Sequence, residues 1–444
     1  MNTKANTWTM CALTLAVLMA GSASLNAQER SPSWTLTPMY IFQGLEDGSN
    51  PNEVILDAAG NLYGSAQYGG DIDNCEAPYG CGAIFKIDAR GHESVLYAFG
   101  FSPSDGNQPY GGVFRDSSGI YGTTTFGGTN GAGTVFRLSP PPRACTTAIC
   151  PWSESVLYSF GSGMFDTGPA ADLIRGANGN LYSTSASGGT GPCNDGCGTV
   201  FEVDAHGNVS VVYNFQGPPA DGREQGYLST SLLLGADGSL YGTTPAGGTS
   251  DAGTVFKLTP SGSGWTESVI YNFTGGADGF IPQQGLVADA QGNLFGTTSL
   301  GGGAANAGVV FKLTPNGGSW TQSVIHTFTG PPDGAHPLSG TGLLRDNQGN
   351  LYGTTFGGGS EAGNCGSYGC GTVFKLTPSG SGWTESILWS FTDGPDGALP
   401  GGTLAMDGQG NLYGAALFGG GYLDNPNCTG LAAPGCGVIF KLTP

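Results

Sequence analysis

The feature that most constrains this chain is an internal repeat that recurs seven times, with a period of about 55 residues. Each unit contains the motif NLYG or a close variant, then a Gly-Gly pair, then two motifs whose fullest forms are GTVFKLTP and WTESVIYNF. The phenylalanines of GTVFKLTP are Phe85, Phe136, Phe201, Phe256, Phe311, Phe374 and Phe440. Those that end WTESVIYNF are Phe42, Phe99, Phe160, Phe215, Phe273, Phe328 and Phe391. Such a chain folds by stacking similar units, because one unit alone cannot bury its apolar residues.

Each unit reads as four short β-strands. In the fifth repeat the strands are predicted at residues 284–289, 293–299, 308–314 and 320–328. These runs are rich in Val, Ile, Thr and aromatic residues and are bounded by Gly, Pro, Asn or Asp. The connector DAQGN supplies an Asp to begin a tight turn and a Gly that accepts positive φ. A sheet of four antiparallel strands cannot bury both of its faces alone, and sheets of this kind stack side by side as propeller blades.

The chain ends predict how the ring closes. The final repeat stops after its third strand at Pro444, whereas residues 34–42 (WTLTPMYIF) match the fourth-strand motif before any repeat has begun. We therefore predict an all-β fold: a seven-bladed β-propeller of four-stranded blades, closed by an N-terminal strand that completes the last blade. The domain covers residues 34–444, and an open β-solenoid is the main alternative.

The first 27 residues are interpreted as a signal peptide and residues 28–33 as a short linker. Lys4 precedes about ten apolar residues (CALTLAVLMA), a run too short to span a bilayer. Cleavage is expected after Ala27, with Ala23 and Ser24 as alternatives. The mature protein is therefore expected to be secreted or periplasmic, monomeric and without a membrane span.

Charge excludes one class of partner. The chain has 33 acidic and 14 basic side chains and a formal charge of −19. Because nucleic-acid binding requires basic groups that neutralise phosphates, no nucleic-acid partner is expected.

The ten cysteines after the signal segment form five pairs that are close in sequence. The pairs are Cys75 with Cys81, Cys145 with Cys150, Cys193 with Cys197, Cys365 with Cys370, and Cys428 with Cys436. In an exported protein such local pairs predict loop-closing disulfides. A zinc site would need further Cys or His nearby, and a redox catalyst would have a two-residue spacing, so neither is expected.

Strand parity puts the links between blades and the loops between second and third strands on one side of the ring, here called the loop face. It has most of the variation in length, and seventeen acidic residues against Arg223 alone. The candidate binding residues, predicted to lie nearest the mouth of the central channel, are Asp47, Asp105, Asp221, Asp278, Asp333 and Asp396. The alternative is a solvated acidic surface that keeps the protein in solution. Asp71, Asp73 and Glu76 could together bind Ca²⁺, and no other cofactor is expected.

Basic residues occupy two registers of the repeat. Arg115, Arg175 and Arg345 fall just before the first turn of three blades, where they could hold a small anion in the central channel or be buried against Asp116 and Asp346. Six of the third strands carry a Lys or Arg, which we expect to pair with glutamates of the neighbouring fourth strand, and the remaining third strand carries Glu202. The third-strand bases are Lys86, Arg137, Lys257, Lys312, Lys375 and Lys441, and the glutamates are Glu93, Glu154, Glu267 and Glu385.

Two further residue classes are interpreted as structural. The repeated aromatic residues lie inside strands, and packing between blades is expected of them rather than a stacking surface for ligands. The four histidines, His92, His206, His326 and His336, are isolated in sequence and are interpreted as incidental. No GxSxG, HExxH or phosphate-loop motif is present.

The units NLYGTT, GG, GTVFKLTP and WTESVIYNF resemble the tandem repeat of bacterial choice-of-anchor GloVer-type proteins over essentially all of residues 34–444. The resemblance implies an exported or surface-attached bacterial protein and carries no established biochemical activity. Nothing follows Pro444 in this sequence, so release from the cell or retention in the periplasm is expected instead of C-terminal anchoring.

Two classes of function remain open. The first is a binding or scaffold propeller that engages a glycan or another surface protein through the loop face. The second is a glycan hydrolase or lyase that works with carboxylates, since no other catalytic group is suggested by the sequence.

Overall fold

The computed structural model describes residues 33–444, except 45, 72–74, 76–79, 103, 142–151, 162–168, 170, 220, 225–229, 263, 338–341, 361–364, 422–427 and 429–434. Trp34–Pro444 form one compact unit. Its strands form seven four-stranded antiparallel sheets, one for each repeat, arranged as the blades of a β-propeller. The signal segment and the Cys145 and Cys150 pair, which were predicted above, lie outside the described residues.

Blades are numbered along the chain, and their strands are given from the innermost to the outermost. Blade 1 consists of Ser49–Leu56, Leu62–Tyr68, Ala83–Ile87 and Glu93–Ala98. Blade 2 consists of Phe114–Asp116, Gly119–Thr124, Thr134–Ser139 and Ser153–Ser159. Blade 3 consists of Ile174–Arg175, Leu181–Ser185, Thr199–Val203 and Val209–Asn214. Blade 4 consists of Leu233–Leu234, Leu240–Thr244, Thr254–Ser261 and Gly264–Asn272.

The remaining blades repeat this order. Blade 5 consists of Val287–Ala288, Leu294–Thr298, Val309–Asn316 and Ser319–Thr327. Blade 6 consists of Leu344–Arg345, Leu351–Thr355, Thr372–Ser379 and Gly382–Ser390. Blade 7 consists of Ala398–Met406, Leu412–Phe418, Val438–Thr443 and Thr35–Ile41. A short 3-10 helix spans Gly366–Tyr368.

Two-residue strands extend three blades at the loop face. The pairs are Gly106–Asn107 with Phe126–Gly127, Gly222–Arg223 with Ala246–Gly247, and Gly334–Ala335 with Gly357–Gly358. Each joins the link that enters a blade to the residues that follow the second strand of that blade. The two classes of loop therefore lie on the same side of the ring, as strand parity predicts.

Closure of the ring is confirmed. Thr35–Ile41 pairs antiparallel with Val438–Thr443, from Thr35 opposite Thr443 to Ile41 opposite Val438. The main-chain N–H of Phe42 then donates to Gly437 O at 3.1 Å. The first strand in sequence is thus the outermost strand of the last blade.

The first strands of five blades are only two or three residues long. In blade 5 only Val287–Ala288 joins the ladder, although residues 284–289 were predicted. Side chains of second strands replace the missing ladder bonds: Thr297 Oγ1 donates to Gln284 Oε1 at 2.7 Å, and Thr243 Oγ1 of blade 4 donates to Gln284 O at 3.0 Å. The innermost segment therefore separates from its own sheet and is held partly by the preceding blade.

The repeated phenylalanines join every blade to the next. The Phe that ends each fourth strand packs edge-to-face on the third-strand Phe of the following blade, with ring centroids 5.1–5.4 Å apart. The pairs are Phe42 with Phe85, Phe99 with Phe136, Phe160 with Phe201, Phe215 with Phe256, Phe273 with Phe311, Phe328 with Phe374, and Phe391 with Phe440. All seven interfaces of the ring carry this contact, which confirms packing between blades.

Six blades have the Gly of NLYG at a position where the third-strand Phe packs closely, and blade 3 has Ser183 there. A Cβ at Gly242 would lie 2.5 Å from the ring of Phe256, closer than real contacts allow. Gly at this second-strand position therefore lets the third-strand Phe lie flat against the main chain of its own blade.

Four of the predicted disulfides are present, with Cα separations of 4.7–5.6 Å. The carbonyl oxygen of the second cysteine in each accepts a main-chain hydrogen bond from the link that enters the next blade. The bonds are Gln108 to Cys81 at 2.8 Å, Glu224 to Cys197 at 3.0 Å, Leu399 to Cys370 at 2.8 Å and Asn50 to Cys436 at 2.9 Å. These bridges stiffen the loop face.

Replacing Cys193 and Cys197 by serine is expected to lower the free energy of unfolding by about 2 kcal/mol, because the bridge restricts a short loop in the unfolded chain. Urea unfolding of parent and variant measures the difference. Peptide mapping without reduction should recover only bridges between neighbouring cysteines. A bridge between distant cysteines, or identical urea midpoints for the two proteins, would contradict this assignment.

Within the described part of the chain, no helix has the length and apolar character that crossing a bilayer would require.

Candidate functional site

The six candidate aspartates lie in the links between blades, and each carboxylate closes its own turn. It accepts a hydrogen bond from the main-chain N–H of the residue just after the fourth-strand Phe. The bonds are Gln43 to Asp47 at 2.8 Å, Gly100 to Asp105 at 2.8 Å, Gln216 to Asp221 at 3.2 Å, Thr274 to Asp278 at 2.9 Å, Thr329 to Asp333 at 2.9 Å and Thr392 to Asp396 at 3.1 Å. The acids therefore fix the conformation of the links.

The same carboxylates bind side chains of the outermost strands. The donors are Tyr40 to Asp47 at 3.0 Å, Tyr97 to Asp105 at 3.1 Å, Tyr213 to Asp221 at 2.8 Å, Tyr271 to Asp278 at 3.0 Å and Trp389 to Asp396 at 3.1 Å. Asp333 instead faces His326, with Nε2 and Oδ2 3.7 Å apart. The carboxylates thus lie beside the outermost strands, whereas the sequence placed them nearest the mouth of the central channel. Ligand binding by these six residues stays a prediction.

Burial limits the access of solvent to several of these acids. Asp221 is 2% exposed, and Asp105 and Asp396 are also buried. Burial raises the pKa of Asp105 and Asp221, although hydrogen bonds from tyrosine and from the main chain oppose the shift. These aspartates accept several hydrogen bonds from within the protein, which indicates that they hold the loops in place.

Four glutamates of the outermost strands lie next to these aspartates, across an interface between blades. The pairs are Glu93 with Asp47, Glu154 with Asp105, Glu267 with Asp221, and Glu385 with Asp333. Burial first, and then repulsion by the aspartate, raises the pKa of Glu93, Glu154 and Glu385 to about 7 and that of Glu267 to about 8. Oε1 of each glutamate is buried without a hydrogen-bond partner. Near neutral pH these glutamates hold protons more readily than ordinary ones.

The expected ion pairs between third-strand bases and these glutamates are not formed. Lys257 is opposite Ser268, and Glu267 is opposite Leu258. Because successive residues of a strand point to opposite faces, this offset of one residue separates the two charges. The bases instead lie over second-strand aromatic rings, as Lys257 does over Tyr241 at 5.2 Å.

Two of the three arginines, Arg115 and Arg175, also stack on rings. Arg115 lies 4.6 Å from the ring centroid of Tyr63. Arg175 lies 5.4 Å from the rings of Phe114 and Tyr121 of the preceding blade, and its Nη2 is 2.7 Å from Asp116 Oδ2. The pairing with Asp116 agrees with the structural alternative for Arg175. Arg345 is half-buried in blade 6, three blades away, and anion binding by the three residues stays a prediction.

The other predicted acids of the loop face differ in how far they are exposed to solvent. Asp71 is half-buried, whereas Asp73 and Glu76 lie outside the described residues, so calcium binding there also stays a prediction. Glu46, Asp195 and Asp251 are exposed. Asp251 pairs with Arg223, with Oδ2 and Nη2 3.3 Å apart.

The sequence of all seven blades matches one family of repeats. The sequence profile of the Gloeobacter/Verrucomicrobia repeat matches residues 29–163, 150–365 and 229–444, and so covers every blade. The chain belongs to this repeat family. No functionally curated protein matches its sequence.

Solved structures are similar to this Gloeobacter/Verrucomicrobia repeat protein at low identity. Puromycin hydrolase is 14% identical with a TM-score of 0.49, over 86% of this chain and 52% of that one. A hypothetical selenium-binding protein from Sulfolobus tokodaii is 12% identical with a TM-score of 0.47, over 69% of this chain and 72% of that one. Similarity of this degree carries no implication for activity.

Sequence reasoning missed three exposed aromatic side chains of the Gloeobacter/Verrucomicrobia repeat protein. Phe101 is 69% exposed, Tyr368 is 71% exposed and Phe126 is 37% exposed. Phe101 lies in a link between blades, and the other two lie after second strands, so all three are on the loop face. The available signal was that each aromatic residue lies outside the repeated motifs.

Two carboxylates near the centre of this repeat protein were also missed. Asp172 Oδ2 accepts a hydrogen bond from Ser231 Oγ of blade 4 at 2.7 Å, and Oδ1 accepts one from Gly112 N of blade 2. Glu53 Oε2 of blade 1 accepts a hydrogen bond from Thr403 N of blade 7 at 3.3 Å. These acids connect first-strand segments of neighbouring blades, and no motif marks them.

Proposed function

We propose that this repeat protein is an exported, non-catalytic binding or scaffold module that engages a glycan or another surface protein through its loop face. The observation that carries the proposal is the exposure of Phe101 and Tyr368 on that face. Aromatic side chains are enriched at binding interfaces, where they supply a large apolar contact area. Their flat rings suit both sugar faces and apolar groups of a protein partner.

The surroundings of these side chains support binding without large rearrangement. Cys75–Cys81 packs against Gly100, next to Phe101, since a Cβ at Gly100 would lie 2.5 Å from Cys75 Sγ. Tyr368 ends a 3-10 turn enclosed by Cys365–Cys370. A rigid ring with stiffened loops loses little conformational entropy when it binds a partner.

Charge defines the ligand class further. The formal charge of −19 and the exposed acids Glu46 and Asp195 penalise an approaching polyanion, with screening over about 8 Å at physiological salt. The ligands are therefore neutral or cationic rather than polyuronates or sulfated glycans. Local disulfides and the signal segment support a secreted or periplasmic location, and we propose that the protein is a monomer.

Replacing Phe101 and Tyr368 together by alanine is expected to reduce ligand binding at least about tenfold, since exposed aromatic anchors contribute strongly to recognition. The measurement is a glycan array and a surface-protein binding screen of the mature chain, with and without Ca²⁺. The control is Val95→Ala with Val324→Ala, which removes two other exposed apolar side chains, each 36% exposed, from the outermost strands. Equal loss in both double variants, or no loss in either, would contradict a binding surface at the loop face.

The same screen tests the carboxylate-based hydrolase or lyase. The glutamates with a pKa of about 7 to 8 have the acidity that a general acid needs. Their recurrence at four interfaces beside outermost strands favours a structural role over a single catalytic centre. Ligand retention without release of a product supports the binding module, and product release would replace it with the enzyme.

A further inference from the structure

One interface between blades differs from its counterparts in a way that points to a metal ion. His326 of blade 5, Asp333 of the link and Glu385 of blade 6 each offer a ligand atom, and these atoms lie within 4.8 Å of one another. The equivalents of His326 in the other blades are Tyr40, Tyr97, Tyr158, Tyr213, Tyr271 and Trp389. Among the described residues this interface alone combines an imidazole with the two carboxylates. Sequence analysis treated His326 as isolated.

The hydrogen bonding of the site is incomplete. At four of the positions that have tyrosine, the hydroxyl donates to the turn aspartate, as Tyr213 does to Asp221 at 2.8 Å. His326 Nε2 is 3.7 Å from Asp333 Oδ2, which is too long for a hydrogen bond. Nε2 is buried without a hydrogen-bond partner, and so is Glu385 Oε1. An unpartnered glutamate Oε1 also occurs at the other three interfaces, so the atom that indicates a further group here is the buried Nε2, which faces two carboxylates.

Neighbouring residues hold the side chains of Asp333 and His326 in place. Asp333 Oδ2 accepts hydrogen bonds from Thr329 N at 2.9 Å and Thr329 Oγ1 at 3.0 Å, while Oδ1 accepts one from Gly334 N at 2.6 Å. The His326 ring packs edge-to-face on Phe328, with centroids 4.7 Å apart. Oriented ligands of this kind favour metal binding, because little freedom is lost when the ion enters.

We propose that His326, Asp333 and Glu385 bind one divalent transition-metal ion, Zn²⁺ in the first instance, which bridges blades 5 and 6. One imidazole nitrogen and two carboxylate oxygens form a ligand set that zinc accepts, with bonds of about 2.0–2.2 Å. Ligand atoms of a tetrahedral site lie about 3.4 Å apart at such bond lengths, so the cluster must contract by up to about 1.4 Å at its widest. Rotation of the Glu385 side chain supplies this movement, and water fills the remaining position.

The ion would have a structural role. It lies beside the outermost strands, as the turn aspartates do. Bridging two blades adds a connection that unfolding must break, so occupancy stabilises the folded ring by mass action.

The test uses the mature chain freed of metal with EDTA. Titration calorimetry with ZnCl₂ is expected to show one ion bound per chain, and thermal unfolding should show a higher Tm with Zn²⁺ than with EDTA. Mg²⁺ and Ca²⁺ should have no such effect, since both ions prefer sites made of oxygen ligands alone. Failure to bind one equivalent of Zn²⁺, or a Tm that does not respond to it, would overturn the proposal.

His326→Tyr is the decisive variant, because tyrosine occupies this position in five other blades and fits beside the aspartate. It is expected to fold with an unchanged Tm in EDTA and to bind Zn²⁺ at least about 100-fold more weakly. Glu385→Gln should weaken binding in the same way. The matched control is His206→Tyr, which alters an exposed histidine in a turn of blade 3 and should bind like the parent. Zinc binding that survives in His326→Tyr would show that the ion lies elsewhere.

Discussion

A chain that lacks residues 31–42 is expected to unfold at a much lower temperature than the mature protein, and at a much lower urea concentration. The deletion removes the outermost strand of blade 7 and leaves the edge of Val438–Thr443 unpaired. It also removes the fully buried Phe42 from its contact with Phe85. Loss of a buried Phe side chain alone costs about 3–5 kcal/mol, a large part of the stability of a typical domain.

Two point variants distinguish the effect of losing the whole strand from the effect of losing one contact between phenylalanine rings. Phe42→Ala and Phe273→Ala remove the equivalent side chain at the closing interface and at an interface inside the chain, so both should lower stability by about 3–5 kcal/mol. Thr37→Ala alters an exposed residue of the same strand and should have little effect. A truncated chain that melts like the parent would show that the ring does not depend on this strand.

The stability of the parent protein is expected to fall as the pH rises from 5 to 8. The relevant groups are Glu93, Glu154 and Glu267, whose pKa values in the folded state are about 7, 7 and 8. Their pKa in the unfolded chain is about 4.3. A group with a raised folded pKa contributes stability below its unfolded pKa, and this contribution is lost as the pH rises through the folded value. The partial exposure of these side chains reduces the effect to about 1 kcal/mol for each glutamate.

Gln322 provides the variant that tests this prediction. It occupies the same position in blade 5, where its Nε2 donates to Asp278 O at 3.2 Å. Replacing the three glutamates by glutamine should therefore preserve the fold, flatten the pH dependence and make the variant more stable than the parent at pH 8. Urea midpoints at pH 5, 6, 7 and 8, in EDTA, measure the change. Glu46→Gln, at an exposed acid, should leave the slope unaltered, and a parent protein with constant stability would contradict the prediction.

Most of the fold could be predicted because the repeat encodes it locally. The spacing of Phe85 and its six equivalents gives the number of blades, and WTLTPMYIF reveals a fourth strand displaced to the other end of the chain. The disulfides could be predicted because cysteines four to eight residues apart are close enough to pair with each other, whereas other pairings would have to bring distant segments together.

The candidate site was predicted less well, because its chemistry depends on which residues of different blades meet. Lys257 and Glu267 seemed to be neighbours on adjacent strands, yet a register offset of one residue places them on opposite faces. Asp221 was predicted as a ligand-binding group, but it is buried and bonded to Tyr213. Neither the register between two strands nor the burial of a side chain can be predicted from the sequence of one strand.

The sequence by itself determined the number of blades, the strand order, the closure of the ring and the side on which the variable loops lie, since each follows from periodicity and strand parity. Only the tertiary structure decided which side chains meet across an interface. His326, Asp333 and Glu385 come together although Glu385 belongs to the next blade, and Phe101 and Tyr368 remain exposed on the loop face. The physical reason is that a repeat fixes the contacts within a unit, whereas packing between units depends on side chains far apart in the chain.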